Sequence, residues 1–283
     1  MMIVSIASGK GGTGKTTVAV NLALSLCNVQ LLDCDVEEPN IHIFLKPDIY
    51  KREKVTAKIP LIDEDICDRC GKCAEFCQYN ALAVTKDLIV ILNELCHSCG
   101  GCVIVCPKKA ISEKEREIGI LEYGKKNDIE FIHGILNTGE AMASPLIKRV
   151  KEEVKDNMNV IIDAPPGTSC AVIESVRDTE YCILVTEPTP FGLNDLKLAV
   201  EMLNEIGISY GVIINRDGIG DNKVYEYCNL NRIPILMKIP YNEEIAKLYS
   251  DGIPFVDIMK EYKERFRQMF DKISREINKE VNA

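Results

Sequence analysis

No stretch of about 18 consecutive apolar residues occurs in this 283-residue chain, so no transmembrane helix is expected. The apolar start, Met1 to Ala7, lacks the basic residues that open an export signal and runs straight into Gly9-Lys10-Gly11. A buried strand is expected there, and the cytoplasm as the place of work. Positive charge is in deficit: 34 Lys and Arg stand against 43 Asp and Glu, a net charge of −9. A grip on nucleic acid needs a basic surface, so no nucleic-acid partner is expected. Histidine is scarce, and neither His42, His97 nor His133 has metal-ligand spacing to a partner, so all three are expected to be structural. Cysteine is thin over most of the chain, yet eight of the 13 fall between Cys67 and Cys106. Without an export signal, such local crowding points to metal chemistry rather than to disulfides. The rest, at 46% hydrophobic and 27% charged, is ordinary globular composition with ample material for a core.

Short apolar runs alternate with helical patterns. Ile3–Ala7, Val29–Leu32, Val160–Ile162, Tyr181–Val185 and Gly211–Ile214 carry the non-alternating apolar character of strands buried on both faces. Val18–Leu26 and Asn194–Ile206 read as helices between them. The expected fold is α/β, a mostly parallel sheet covered by helices on both faces. From about Lys58 to Glu117 the texture changes to cysteines, glycines and short apolar pieces, closed by the charged run Glu113-Lys114-Glu115-Arg116-Glu117. The α/β pattern begins before this segment and resumes after it. The expected division is therefore 1–57 with 118–283 as the main domain and 58–117 as a small inserted module. Near the C-terminus Met259, Tyr262, Phe266, Phe270, Ile273 and Ile277 recur at near-helical spacing among charges of both signs, as in a final helix packed on the sheet.

Gly9-Lys10-Gly11-Gly12-Thr13-Gly14-Lys15-Thr16 fits G-x-x-x-x-G-K-[ST] with a strand before it and a helix, through Thr17, after it. Backbone N–H groups of Gly11, Gly12, Thr13 and Gly14 can converge on phosphate oxygens, Lys15 can reach the β- and γ-phosphates, and the Thr16 hydroxyl can bind Mg²⁺. The second lysine, Lys10, makes the loop resemble that of the MinD/ParA/Mrp P-loop ATPases and the nitrogenase iron protein group. Asp33-Cys34-Asp35 resembles the first switch of that family and Asp163-Ala164-Pro165-Pro166-Gly167-Thr168 its second. Asn215-Arg216 and Pro240-Tyr241-Asn242 are similar to its adenine-contacting segments. The resemblance implies that Asp163 holds Mg²⁺ through water, that Asp35 orients the attacking water, and that Lys10 reaches the nucleotide of a partner across an ATP-dependent homodimer. For Asp33, a strand-end cap and a catalytic role stay equally open.

Cys67-x-x-Cys70-x-x-Cys73-x-x-x-Cys77 and Cys96-x-x-Cys99-x-x-Cys102-x-x-x-Cys106-Pro107 are two copies of the bacterial ferredoxin run, offset by 29 residues from Cys67 to Cys96. Zinc suits CxxC pairs as well, but two intact four-cysteine runs favour two [4Fe–4S] clusters. The resemblance assigns Cys67, Cys70, Cys73 and Cys106 to one cluster and Cys96, Cys99, Cys102 and Cys77 to the other. The first run ends Cys77-Gln78 where the second has Cys106-Pro107, which puts the turn and the backbone donors at that cysteine in question. Cys27, Cys34 and Cys182 are expected in the core, and Cys228 carries no reading beyond packing. Cys170, after the second switch, could face an interface or a metal, with packing the favoured reading.

Taken together, the chain resembles MinD-superfamily ATPases with an inserted ferredoxin domain. That resemblance implies an ATPase using ATP/ADP and Mg²⁺, its switch tied to electron transfer or metallocofactor assembly on a redox or cofactor-bearing partner protein. An iron–sulfur scaffold or carrier, and a positioning ATPase with redox-sensing clusters, are the alternatives.

Overall fold

The computed structural model describes residues 1–281. The chain divides into two compact units: Met1–Arg52, Leu121–Ile135 and Ile147–Ala283 form the larger, and Glu53–Ile120 with Leu136–Leu146 the smaller.

The larger unit grows from strands β1 (Ile3–Ala7) and β2 (Val29–Asp33), flanking helix α1 (Lys15–Ser25), with a short helix α2 (Ile41–Leu45) after β2. The chain then enters the long strand β3 (Asp48–Ile62), whose second half belongs to the smaller unit. In that unit follow α3 (Lys72–Phe76), β4 (Leu82–Val84), β5 (Ile89–Ile91) and α4 (Gly101–Val105). Strand β6 (Ile111–Lys126) carries the chain back, and β7 (Ile129–Leu136), α5 (Ser144–Lys151) and β8 (Asn159–Asp163) follow. The remaining elements are α6 (Cys170–Val176), β9 (Tyr181–Thr186), α7 (Pro190–Ile206), β10 (Tyr210–Asp217), α8 (Lys223–Leu230), β11 (Ile235–Pro240), α9 (Glu243–Ser250) and α10 (Lys260–Val281).

The strands form one sheet in the order β11-β10-β9-β1-β8-β2-β7-β6-β3. From β11 to β7 every recorded pairing is parallel, with Ile6 beside Asp163 and Asp33 between Asp163 and His133. This explains the apolar runs: β2 and β9 are buried along their whole length, and parallel strands with helices on both faces have no solvent side. The strand order reverses around β1, so the loops after β1, β2 and β8 open at one edge of the sheet, where α/β sheets bind ligands.

Sequence chemistry sets the helix ends. Thr189 accepts a hydrogen bond from the Gly192 N–H at 3.0 Å, Pro190 opens α7, and Gly207 closes it at φ 71°. Helix α10 buries Tyr262, Phe266, Met269, Phe270 and Ile273 in the core shared with α1, so the C-terminal periodicity is that of a packed helix. Cys34, Cys182 and Cys228 are fully buried, whereas Cys27, expected in the core, is exposed just past the end of α1.

In the smaller unit β4 pairs antiparallel with β5, Ala83 opposite Val90. Helices α3 and α4 repeat at the same 29-residue offset as the cysteines, each after a left-handed glycine, Gly71 at φ 77° and Gly100 at φ 69°. The charged run Glu113–Glu117, read from sequence as the close of a module, lies inside β6. Lys54 with Glu117, Thr56 with Glu115 and Lys58 with Glu113 pair side by side, so this exposed ribbon of β3 and β6 is antiparallel and its charges are cross-strand partners. Residues 136–146, expected in the larger part, group with the smaller unit. The Asn137 N–H donates to Ile118 O at 2.9 Å, and Arg116 pairs with Glu140.

Candidate functional site

The loop between β1 and α1 wraps a cleft of about 490 Å³, within the roughly 300–1,000 Å³ of small-molecule sites. Gly14 sits at φ 92°, and a Cβ there would lie 2.3 Å from Asn215 Nδ2, so both conformation and space demand glycine. Asn215 in turn donates from that nitrogen to Thr13 O at 2.8 Å, tying the loop to the end of β10. Lys10, Gly11, Gly12, Gly14, Lys15, Thr16 and Thr17 line the cleft. Asp35 lines it from the loop after β2, and Asn215 and Pro240 line it from the ends of β10 and β11. Thr13 is buried in the same loop, its hydroxyl without a hydrogen-bond partner within the protein.

Asp163, fully buried at the end of β8, draws the reactive groups together. Its two carboxylate oxygens accept from Lys15 Nζ at 2.7 Å and from Thr16 Oγ1 at 2.6 Å. Lys15 Nζ is also 3.8 Å from Asp35. Burial alone would lower the Lys15 pKa, but Asp163 and Asp35 outweigh it and hold the ammonium above its ordinary range. Burial, then the charge of Asp163, raises the Asp35 carboxyl to about 6, against the pull of Lys15. Asp33 is a structural anchor: its carboxylate accepts from the backbone N–H groups of Asp35, Asn40 and Ile41, each at 3.1 Å. It folds the loop after β2 and starts α2, and burial beside Asp163 raises it to about 8.

Sequence reading missed one partner. Glu187, buried at the end of β9, lies 3.7 Å from Lys10 and also pairs with Arg216. Lys10 thus has a counter-ion in its own chain, which no motif signals because Glu187 follows an unremarkable strand. Tyr241 and Asn242 line the cleft beside Pro240, and Asn242 also caps α9, accepting from the N–H groups of Glu244 and Ile245. Of the histidines, His133 is buried and bonded to Glu122 at 2.8 Å, and burial lowers its pKa. Cys170 is exposed at the first turn of α6.

In the smaller unit the eight clustered cysteines separate into two hollows. Cys67, Cys70, Cys73 and Cys106 line one. Cys77, Cys96, Cys99 and Cys102 line the other. Among the described residues no three Cys, His, Asp or Glu side chains converge on a point that would hold a single metal ion. Thiols spread around a hollow suit a cluster, where each iron takes its own thiolate. The donors suit it too: Ala81 N–H points at Cys77 Sγ at 3.4 Å and Ala110 N–H at Cys106 Sγ at 3.3 Å, the hydrogen bonds that stabilise a thiolate. Cys77 at φ −72°, ψ 102° and Cys106 at φ −72°, ψ 110° share one turn, so Gln78 in place of proline costs neither the turn nor the donor.

A phosphate-binding loop on a parallel sheet, with an acid at the end of the neighbouring strand, defines a P-loop nucleotide-binding protein. The profile of the CobQ/CobB/MinD/ParA nucleotide binding domain matches residues 4–255, and the chain belongs to that family. It is 33% identical to an uncharacterized Methanocaldococcus jannaschii protein, MJ0578, over 96% of each chain. It is 25% identical to an iron-sulfur cluster carrier protein of the same organism, over 95% of this chain and 82% of that one. Among solved structures, it resembles the septum site-determining protein MinD with Mg-ADP from Pyrococcus horikoshii. That match has a TM-score of 0.59 and 22% identity, covering 99% of this chain and 97% of the other. No described helix is long and apolar enough to cross a membrane.

Proposed function

We propose that this chain is an ATP-hydrolysing iron–sulfur protein that carries [4Fe–4S] clusters and delivers them to a partner protein, with a nucleotide-dependent homodimer as its switch. The observation that carries this reading is the separation of eight cysteines into two hollows of four, within a chain that also holds a nucleotide cleft. Relatives named iron-sulfur cluster carrier proteins support carriage. The smaller unit, which holds the cysteine runs within 58–117, is the ferredoxin-like part of this reading, and the larger unit the ATPase.

In the cleft, Lys15 and the N–H groups of residues 11–14 hold the phosphates, and Asn215 and Pro240 flank the adenine. Thr16 and Asp163 would hold Mg²⁺, which would supply positive charge against the phosphates. Asp35 orients the attacking water, and Lys10 leaves Glu187 to reach the partner's nucleotide. Phosphoryl transfer asks the protein for position and positive charge, and this set supplies both.

Electron delivery to a partner is the second reading, favoured by the completeness of both four-cysteine sets. One experiment separates the two. The anaerobically reconstituted chain is mixed with an apoprotein that has one empty four-iron site, with and without Mg-ATP. Carriage predicts iron and sulfide appearing in the acceptor as they leave the donor. Electron delivery predicts that all iron stays, while the dithionite-reduced protein bleaches an oxidised dye.

A further inference from the structure

The 29-residue repeat places one side-chain pair at equivalent positions beside each hollow, and the two pairs differ in kind. Asp68 follows the first cysteine of the first run, and Lys108 lies two residues after the last cysteine of the second. Their repeat equivalents are His97 and Tyr79. Each pair therefore joins the two chain segments that bring thiols to one hollow. Beside Cys67, Cys70, Cys73 and Cys106 the join is an ion pair of 3.9 Å, with Lys108 55% and Asp68 44% exposed. Beside Cys96, Cys99, Cys102 and Cys77 it is a face-to-face stack of Tyr79 on His97, 3.3 Å between centroids and 8° from parallel. A second contact strengthens only the latter site. Phe76 of α3 lies over Gly101 of α4, where a Cβ would come within 2.1 Å of the ring. The repeat equivalents of this pair are Val105 and Lys72, with no ring and no glycine.

An exposed ion pair contributes little and is screened by salt, whereas stacked rings hold by dispersion and area burial that salt does not weaken. We propose that the hollow of Cys67, Cys70, Cys73 and Cys106 is the releasing site, whose cluster is the cargo, and that the stacked site retains its own. The inference rests on the carriage reading above. In release, four iron–cysteine bonds break and four form to the acceptor's thiolates. The acceptor thiols' protons pass to the vacated cysteines, and the iron oxidation states do not change.

The test uses the full chain loaded anaerobically, with iron and sulfide assayed first, then challenged with EDTA at about 0.05 and 0.5 M NaCl, which spans strong to near-complete screening. A chain that takes up no cluster overturns the carriage reading and this inference together. With clusters loaded, half the iron is expected to leave in a first phase, and only that phase should speed up with salt, by about three- to five-fold, the reach of an exposed ion pair. Asp68→Asn should give the fast rate at low salt. Cys70→Ser should remove the first phase and keep the second. Tyr79→Ala should bring the second half out with the first, while Tyr79→Phe, which keeps the ring, should not. A single phase for all iron in the unaltered chain overturns the proposal. So does loss of the slow phase in the Cys70→Ser chain, or an Asp68→Asn chain whose first phase is unchanged.

Discussion

Replacing Asp163 by Asn tests how much the larger unit depends on one buried carboxylate. Lys15 Nζ lies 2.7 Å from Asp163, both side chains being almost wholly buried. At that separation and an effective dielectric of about 20, the attraction is on the order of 6 kcal/mol. Most of it offsets the desolvation of the two ions. Removing one partner leaves the other charge buried, which typically costs about 3–5 kcal/mol. Asn can still accept one hydrogen bond from Lys15, and Asp35 remains 3.8 Å away, so the expected loss is near the low end, about 3 kcal/mol. Lys15→Met strands Asp163 beside Asp33 and Asp35 and should cost a similar amount. The double variant should then be less destabilised than the sum of the singles, by about 2–3 kcal/mol, as expected for residues in one contact network. Urea unfolding followed by circular dichroism without nucleotide measures all four corners of the cycle. An Asp163→Asn chain within about 1 kcal/mol of the parent, or strictly additive singles, would refute the claim that this pair is energetically coupled.

Three further outcomes are expected. Lys15→Ala should abolish ATP binding in titration calorimetry, while Asp35→Asn should bind ATP and hydrolyse it slowly; wild-type affinity in the Lys15 variant would show the site misassigned. Because burial raises Asp35 to about 6, hydrolysis should fall as pH drops through about 6 and that group gains its proton, a step absent from the residual activity of Asp35→Asn. Glu187→Gln should free Lys10 from its own chain and let the ATP-dependent dimer form at up to about five-fold lower protein concentration, the reach of a partly exposed ion pair. Light scattering reads it, with Lys10→Ala staying monomeric under ATP and an unchanged dimerisation curve in Glu187→Gln ruling out the restraint.

The sheet of the larger unit was legible wherever a strand is buried on both faces, because such a strand writes its burial into a continuous apolar run. Ile3–Ala7 and Tyr181–Val185 are of this kind, and the helix beginning at the phosphate loop was legible from its glycines. The ribbon of β3 and β6 was not. Its residues Lys54, Thr56 and Lys58 face Glu117, Glu115 and Glu113 on an exposed surface. Locally these look like a solvated linker, and only the partner strand, more than fifty residues away, makes them a β-ladder. Cys27 misled for the opposite reason: its neighbours Leu26 and Leu24 pack on the core, but the chain turns out at the helix end.

The same contrast holds at the cleft. The phosphate loop is a local device, so eight consecutive residues announce it. The polar row behind it is assembled mainly by strand order. Asp163 on β8, Asp33 on β2 and His133 on β7 stand in one register, and His133 Nε2 meets Glu122 on β6 at 2.8 Å. Glu122 meets Arg52 on β3 at 2.6 Å, and Arg52 is followed in the chain by Glu53, the first residue of the smaller unit. Only Glu122 and His133, opposed across the short turn at 127–128, lie at a spacing that suggests contact; Asp163, Asp33 and Arg52 reach the row through strand order. Burial lowers the His133 pKa against the opposing pull of Glu122, its hydrogen-bond partner, and Glu122 pairs in turn with the largely exposed Arg52. A carboxylate such as Asp33 can therefore be read from sequence as a candidate. Its role as an anchor for three backbone N–H groups depends on the fold that surrounds it.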